Sequence, residues 1–396
     1  MRDVKLSQKE GITPIGIIDW RNQNIPFGIK DKDRMGHIYV IGKTGVGKST
    51  LLQNMAISDI VRDNGLAIID PHGDVAQHLL SNIPKWREKD LIYINPADST
   101  QKVVFNPLGK VSRSQHHLVV SGLISTFKRI WMDSWGPRLE YILTRSLETL
   151  LFYPQATLLD INPLLTDLSF RTSVLIHVQS NHLQVFWKDE FSKYSPAYRS
   201  EVISPILNKM GVFVSSDPLR KIFGNHTETI DIQNIMNSGK ILIVNLSKGT
   251  IGEQASSILG SILVNAIQLG ALYRAKQPIE TRRPFYLYVD EMHSFVSLAF
   301  ADILAEARKY KLSLFLAHQY IDQLHEKIQS AIFGNIGTLI AFRVGAKDAE
   351  ILAKEFYPIF NEVNLVRLPK FSMYIKLMID GVTSVPFSAK TVQSDF

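Results

Sequence analysis

Eight consecutive residues, Gly42-Lys-Thr-Gly-Val-Gly-Lys-Ser49, match the spacing G-x-x-x-x-G-K-[ST]. Glycines at those positions let successive backbone N–H groups turn toward phosphate oxygens, and a helix opening directly behind adds its dipole. The nucleotide-binding set is therefore Gly42, Lys43, Thr44, Gly45, Val46, Gly47, Lys48, Ser49 and Thr50. Lys48 is expected to reach the β- and γ-phosphates of ATP, and Ser49 to ligate Mg²⁺. Such a loop does not separate a hydrolase from a small-molecule kinase. A second feature does. Phe285-Tyr-Leu-Tyr-Val-Asp-Glu291 is a hydrophobic run that ends in adjacent carboxylates. Carboxylates at a buried strand tip are costly without a nearby cation. Asp290 is expected to hold Mg²⁺ through water, and Glu291 to polarise the water that attacks the γ-phosphate. A kinase needs no such glutamate, because its acceptor hydroxyl is the nucleophile. Leu312–Leu316 leads into Ala317-His318-Gln319, which puts Gln319 at another strand tip, within reach of γ-phosphate or lytic water. Asp70-Pro-His-Gly-Asp74 follows a strand as well and belongs on the same sheet edge; His72, without a clustered partner, reads as part of a structural turn.

These residues need a scaffold that brings strand tips together. His37–Ile41 is a buried strand feeding the glycine loop, and helical spacing of Leu51, Leu52, Met55 and Ile60 predicts a helix from Lys48 to about Asp63, closed by Asn64-Gly65. Leu66–Asp70, Leu91–Asn95, Lys240–Asn245, Phe285–Val289, Leu312–Leu316 and Thr338–Phe342 are continuous apolar runs of the kind buried on both faces of a parallel sheet. Gly11–Asp19 and Ile25–Ile29 add a small β-rich segment at the start. From Gln115 to Asn225 helical periodicity takes over and aromatic residues such as Trp131, Trp135, Phe186 and Trp187 become frequent. The expected fold is α/β: a P-loop NTPase of the RecA-like kind, with a mainly parallel sheet flanked by helices. Residues 1–110 and 226–396 form the discontinuous nucleotide-binding domain, and 111–225 an inserted all-α domain.

With 396 residues, 45% hydrophobic and 20% charged, the chain can bury one large core or two ordinary ones. It has no cysteine, which removes disulfides, thiolate metal sites and thiol nucleophiles. Forty-four Lys+Arg against 37 Asp+Glu is a mild basic excess, compatible with nucleic acid without requiring it. The longest apolar-looking stretch, Leu259–Leu272, contains Asn265 and Gln268 and falls short of the ~20 residues of a membrane span. Met1–Lys5 has no hydrophobic signal region behind it. A cytoplasmic protein with no intrinsic membrane span is expected.

The motifs in their order resemble the HerA/FtsK superfamily and, within it, the TraG-like coupling ATPases of conjugation and type IV secretion. The residues that carry the resemblance are Ile41–Thr50, Ile68-Ile-Asp-Pro-His-Gly-Asp74, Tyr288-Val-Asp-Glu291, Glu306-Ala-Arg-Lys-Tyr310, Ala317-His-Gln319 and Gly334–Gly345. They span about residues 30 to 350. The resemblance implies a hexameric ring that hydrolyses ATP to move DNA, or a DNA–protein conjugate, through a central channel. It implies nucleotide bound between subunits, with an arginine from the neighbour stabilising transition-state charge. Arg308 matches the family's basic position between the Asp-Glu strand and the Gln strand. Arg343 and Arg34 are further candidates, and partners would include a secretion channel, a relaxase or a nuclease.

The membrane helices that precede the motor in coupling proteins do not match anything here. The DNA contact is also not written in any zinc-finger, helix-turn-helix or RNA-binding signature. A motor that grips phosphates without reading sequence needs only basic loops, for which Lys248 and the Arg282-Arg283 pair are candidates. Two other readings stay open: a secretion ATPase acting on protein cargo, and a nucleotide-gated ring scaffold that recruits an effector.

Overall fold

Apolar runs with no polar alternation have to be covered on both faces, and here they are. The computed structural model describes residues 11–20, 23–101, 103–225 and 229–392; Met1–Lys5, read above for a signal region, lies outside them. The strands are β1 (Ile12–Trp20), β2 (Gln23–Lys30), β3 (Ile38–Ile41), β4 (Gly65–Asp70), β5 (Leu91–Ile94), β6 (Ile241–Asn245), β7 (Phe285–Val289), β8 (Leu312–His318), β9 (Thr338–Ala341), β10 (Ser372–Lys376), β11 (Met378–Ile379), β12 (Val382–Thr383) and β13 (Phe387–Lys390). Every position of β3, β4, β6, β7, β8 and β9 is buried. Eleven strands form one sheet in the order β2-β1-β13-β10-β9-β3-β8-β7-β4-β6-β5. From β9 to β5 the pairing is parallel.

The other four strands are antiparallel: β10 pairs with β9 and β13, and β13 with β1. The β-rich N-terminal segment is thus not a separate piece but the outer edge of the same sheet, joined to it through strands from the C-terminal region. Those C-terminal strands were not anticipated. In β10 burial alternates position by position, the pattern of a sheet covered on one face.

Register fixes which strand tips meet. Ile41 pairs with His318 on one side and Ala341 on the other, while Val289 pairs with Leu316. Gly42, Asp290 and Gln319 therefore all leave the sheet at its C-terminal edge, where open α/β sheets bind ligands. The helix Lys48–Val61 buries Leu51, Leu52, Met55 and Ile60, and each such side chain contributes roughly 1.5–3 kcal/mol of transfer free energy.

By contacts the chain divides into two compact units, one within Met1–Ile94, Ile232–Ser247 and Gly270–Phe396, the other within Asn95–Asp231 and Lys248–Leu269. The first holds the sheet. The second is helical and includes His116–Ile130, Pro137–Leu150 and Pro196–Ser215. Its core contains Phe127, Leu143, Leu147, Ile206 and Phe213, with Phe127 and Phe213 edge to face at 6.0 Å. Trp187, 2% exposed, donates its indole N–H to Thr149 Oγ1 at 2.8 Å, so the aromatic texture of this stretch is core packing. One helix, Glu253–Tyr273 with its extension to Lys276, is longer than the sequence suggested and apolar enough to cross a membrane by length and composition. Of its apolar window 78% is buried inside the structure, which accounts for its composition.

Candidate functional site

The loop after β3 turns with Gly45 at φ +73° and Gly47 at φ +124°, backbone angles that a Cβ disfavours. A Cβ at Gly47 would also meet Phe371 Cδ1 at 3.0 Å and Phe342 Cε1 at 3.1 Å. The loop closes on itself through Lys48, whose ammonium donates to the carbonyls of Gly42 at 2.6 Å and Lys43 at 3.0 Å. Burial lowers the Lys48 pKa, and the nearby Glu291 and Asp290 charges oppose that shift. Two backbone bonds hold the loop's base to the sheet: Gly42 N–H to His318 O at 3.2 Å and Lys43 N–H to Arg343 O at 2.9 Å.

Beside it stand Asp290 and Glu291, 3% and 5% exposed. Glu291 has φ +49°, ψ +53°, a left-handed conformation that costs a non-glycine residue about 1–3 kcal/mol. Its N–H donates to Asp290 Oδ1 at 3.0 Å. Gln319 Nε2 donates to Glu291 Oε1, and Thr44 Oγ1 donates to Gln319 Oε1 at 3.0 Å. A continuous chain of hydrogen bonds thus runs from the glycine loop through Gln319 to the glutamate. The other glutamate oxygen, Oε2, is buried without a hydrogen-bond partner, with His293 Nδ1 3.5 Å away. Buried acceptors of this kind call for a donor such as water or a cation.

Electrostatics point the same way. Burial, then the charges of Glu291 and Asp70, push the Asp290 carboxyl up to about 6, only partly offset by Lys48 and His72. Three carboxylates crowd a low-dielectric edge, and Asp70 is committed to the His72 and Ala76 N–H groups at 2.9 Å each. Such a site gains from a bound cation. Behind it, burial drives His318 down to about 3, so it is neutral at pH 7; its Nδ1 lies 3.1 Å from Tyr39 OH.

A measurable consequence follows for Asp290. Its folded-state pKa lies above the usual 3.8, so the folded chain holds the proton more tightly than the unfolded one. Without nucleotide, stability must fall as pH rises from about 4 to 6. Asp290→Asn removes that loss and should raise stability at pH 7 by on the order of 1–3 kcal/mol, with no gain at pH 4. Urea denaturation at the two pH values reads this; equal stabilities of parent and variant at pH 7 would contradict it.

Together these residues border a cleft of about 240 Å³ lined by Thr44, Gly45, Gly47, Lys48, Ser49, Thr50, His72, Asp290, Glu291, Gln319, Lys370 and Phe371. His72, read from the sequence as a turn residue, faces the cleft. Lys370 and Phe371 were missed: they lie beyond the stretch that carried the family resemblance and match no motif. Among the described residues no group of three or more His, Asp or Glu forms a metal cage of its own.

The arginine candidates separate. Arg343 sits half-buried beside the loop, though not in the cleft lining. Arg308 is exposed and precedes β8, whose first residue pairs with the first of β7, so it lies at the opposite sheet edge from its own cleft. Arg34 is corrected outright as a residue offered to a neighbour. It is 1% exposed and bidentate to Asp59, with Nη1–Oδ1 at 2.6 Å and Nη2–Oδ2 at 2.9 Å. Arg282 and Arg283 are also largely committed. Arg282 donates to the carbonyls of Gln277 and Lys309, and Arg283 to the Asp63 carboxylate and Ser238 O. Lys248 lies 3.6 Å from Glu253.

Residues 284–356 match the family described as the TraM recognition site of TraD and TraG. That segment contains Asp290, Glu291, Arg308, Gln319 and Arg343. Over that segment the chain is similar to TraD and TraG, and its sequence and fold relatives are P-loop coupling and secretion proteins of the TraG-like kind. The type 4 coupling protein DotL of Legionella pneumophila is 24% identical over 345 residues, 72% of this chain and 44% of that protein. The chain thus spans less than half of that relative's length. In fold, it superposes on the bacterial conjugative coupling protein TrwBdeltaN70 with a TM-score of 0.69 at 17% identity, covering 93% of this chain and 87% of the other. VirB4 of Thermoanaerobacter pseudethanolicus gives 0.66 at 15% identity, covering 98% of each chain. A third relative in fold, TrwB in complex with ADP and Mg²⁺, gives 0.66 at 15% identity over 94% of this chain and 88% of that one.

Proposed function

We propose that the chain is the ATP-hydrolysing subunit of a hexameric ring that drives DNA, or a DNA–protein conjugate, through a central channel. The observation that carries the catalytic half is the convergence of Lys48, Ser49, Asp290, Glu291 and Gln319 on one cleft. Lys48 exchanges its two loop carbonyls for oxygens of the β- and γ-phosphates. Ser49 and Asp290 are the residues that would hold Mg²⁺, and the crowded carboxylates and the unpartnered Glu291 Oε2 fit a cation and a water nearby. Bound there, Mg²⁺ would neutralise charge on the phosphates. Glu291 accepts a proton from water as the water oxygen bonds to the γ-phosphorus. The bond to the bridging oxygen breaks and ADP leaves with its charge stabilised by Lys48. Gln319, already bonded to both Thr44 and Glu291, orients that water and reports the γ-phosphate to the loop.

The ring rests on a separate observation. Arg308 is exposed and lies at the sheet edge remote from its own cleft, a position from which it would serve a neighbouring subunit's nucleotide. Arg343, whose carbonyl accepts from Lys43 N–H, stands beside the loop as the second arginine candidate. DNA is held through its backbone without sequence readout. The motor works on the cytoplasmic side with a relaxase or nuclease partner and a secretion channel.

Phosphate release measured with and without single- and double-stranded DNA at two salt concentrations tests the reading, together with electron microscopy of the same samples. Stimulation by DNA that weakens with salt, and six-fold rings in nucleotide, are expected. Turnover that ignores DNA and responds to a protein partner would move the cargo to protein. A strict monomer in every condition would remove the ring.

A further inference from the structure

Lys370 and Phe371 line the cleft yet belong to none of its motifs. They stand immediately before β10, one of the strands that the C-terminal region adds to the sheet. Phe371 has φ +65°, a conformation that bulky side chains keep only where the surroundings fix it. Two bonds do so. Its N–H donates to Val46 O inside the glycine loop at 2.8 Å, and its carbonyl accepts from Thr391 N–H at 2.9 Å. The ring presses against the loop, 3.0 Å from where a Cβ of Gly47 would stand. Lys370 Nζ lies 4.9 Å from the centroid of that ring.

Sheet order gives this turn a direction. The groups that act on the γ-phosphate, Asp290, Glu291 and Gln319, follow β7 and β8, on one side of β3. Lys370 and Phe371 enter β10, on the other side, beyond β9. Because β10 runs antiparallel to β9, its beginning lies at the same sheet edge as the cleft. A nucleotide whose terminal phosphate lies between Lys48 and Glu291 must extend its sugar and base away from β7 and β8. The cleft lining that enters the sheet on that side is Lys370 and Phe371.

Resting on the nucleotide reading above, we propose that Lys370 and Phe371 form the nucleoside-side wall of the site. Lys370 supplies a cation to the phosphate nearest the sugar, and the Phe371 ring packs against the sugar and base. The arrangement suits a nucleoside di- or triphosphate, since a lysine gives charge without bidentate geometry and an aromatic face accepts any base. It also links occupancy of that wall to loop shape, because the residue that meets the nucleoside is bonded to Val46.

Calorimetric titration of ATP, ADP and inorganic tripolyphosphate, with Mg²⁺, into the chain and into Lys370→Met and Phe371→Leu tests the assignment. Lys370→Met should weaken all three by about tenfold and lower the salt dependence of each. Phe371→Leu keeps apolar contact with Gly47; it should weaken ATP and ADP by about five- to tenfold and leave tripolyphosphate unchanged. Thermal melts of each variant, with Lys370 exposed, check folding separately. Parental affinities in Lys370→Met would overturn the proposal while leaving the nucleotide reading intact. Equal losses for ATP and tripolyphosphate in Phe371→Leu would reduce the ring to a brace and overturn its half. A parent chain that binds none of the three would sink the nucleotide reading, and this assignment with it.

Discussion

Glu291→Gln should lower single-turnover hydrolysis by about 10²- to 10⁴-fold, the usual contribution of a positioned general base, while nucleotide affinity stays within about threefold. In the proposed mechanism the two effects separate, because Glu291 acts on the attacking water while Lys48 and the loop N–H groups meet the phosphates. The surroundings make the substitution a clean test. Glu291 Oε1 already accepts from Gln319 Nε2, and a glutamine there can still offer an amide oxygen to that donor. Strain at φ +49° is unchanged, since the backbone conformation does not depend on the side-chain charge. Rapid-quench measurement of phosphate formation, beside titration of the same preparation with ADP, gives both numbers. Hydrolysis at the parental rate would remove Glu291 from the mechanism and leave the strained turn without a chemical purpose.

Asp59→Ala should cost about 3–5 kcal/mol of stability, the largest structural effect expected of any single substitution here. Asp59 is fully buried on the helix that follows the glycine loop. Burial alone would raise its pKa, but the Arg34 guanidinium outweighs that and holds it below the usual carboxylate range. Arg34 Nη2 also donates to Tyr288 OH at 2.8 Å, and Tyr288 OH donates to Asp59 Oδ2. Its Nη1 reaches Thr13 Oγ1 on β1 at 2.7 Å, and its Cζ lies 3.8 Å from the Tyr286 ring centroid. Removing Asp59 leaves a buried guanidinium with neutral partners only, apart from the more distant Asp31 beside Arg62. The double variant Arg34→Met/Asp59→Leu, which takes out both charges, should recover much of the loss. Urea midpoints of the three chains decide it. A single variant within about 1 kcal/mol of the parent would show that the pair is dispensable. Because Tyr288 lies two residues before Asp290, the same variants should also slow hydrolysis.

The parallel half of the sheet was legible because its signal is local. Runs such as Leu66–Asp70 and Phe285–Val289 have no polar alternation, and only strands buried on both faces look like that. The placement of the candidate site was legible for the same reason: Gly42–Ser49, Asp290-Glu291 and Gln319 each sit at the end of such a run, and register brings them to one sheet edge. What escaped was set by pairing between distant segments. β10 and β13 alternate and are short, so their assignment depends on β9 and β1, whose edges they cover. Lys370 and Phe371 escaped with them. Arg34 misled because its type and position near the loop strand fit a charge offered outward, and nothing local marks its partner, 25 residues further on.

The sheet is completed by strands far downstream of those they join. β1 and β2 can pair as a hairpin as soon as both are made, yet the other neighbour of β1 is β13, more than 360 residues later. Val46 likewise receives its bond from Phe371, and Asn54 reaches the carbonyl of Val392. While the chain is still being translated, the parallel strands can assemble with β9 as a bare edge, and the glycine loop lacks the residues that press on it. Time on the ribosome therefore separates the making of the phosphate loop from its bracing. A nascent chain would carry an open strand edge, the feature that chaperones must shield, until residue 391 has emerged.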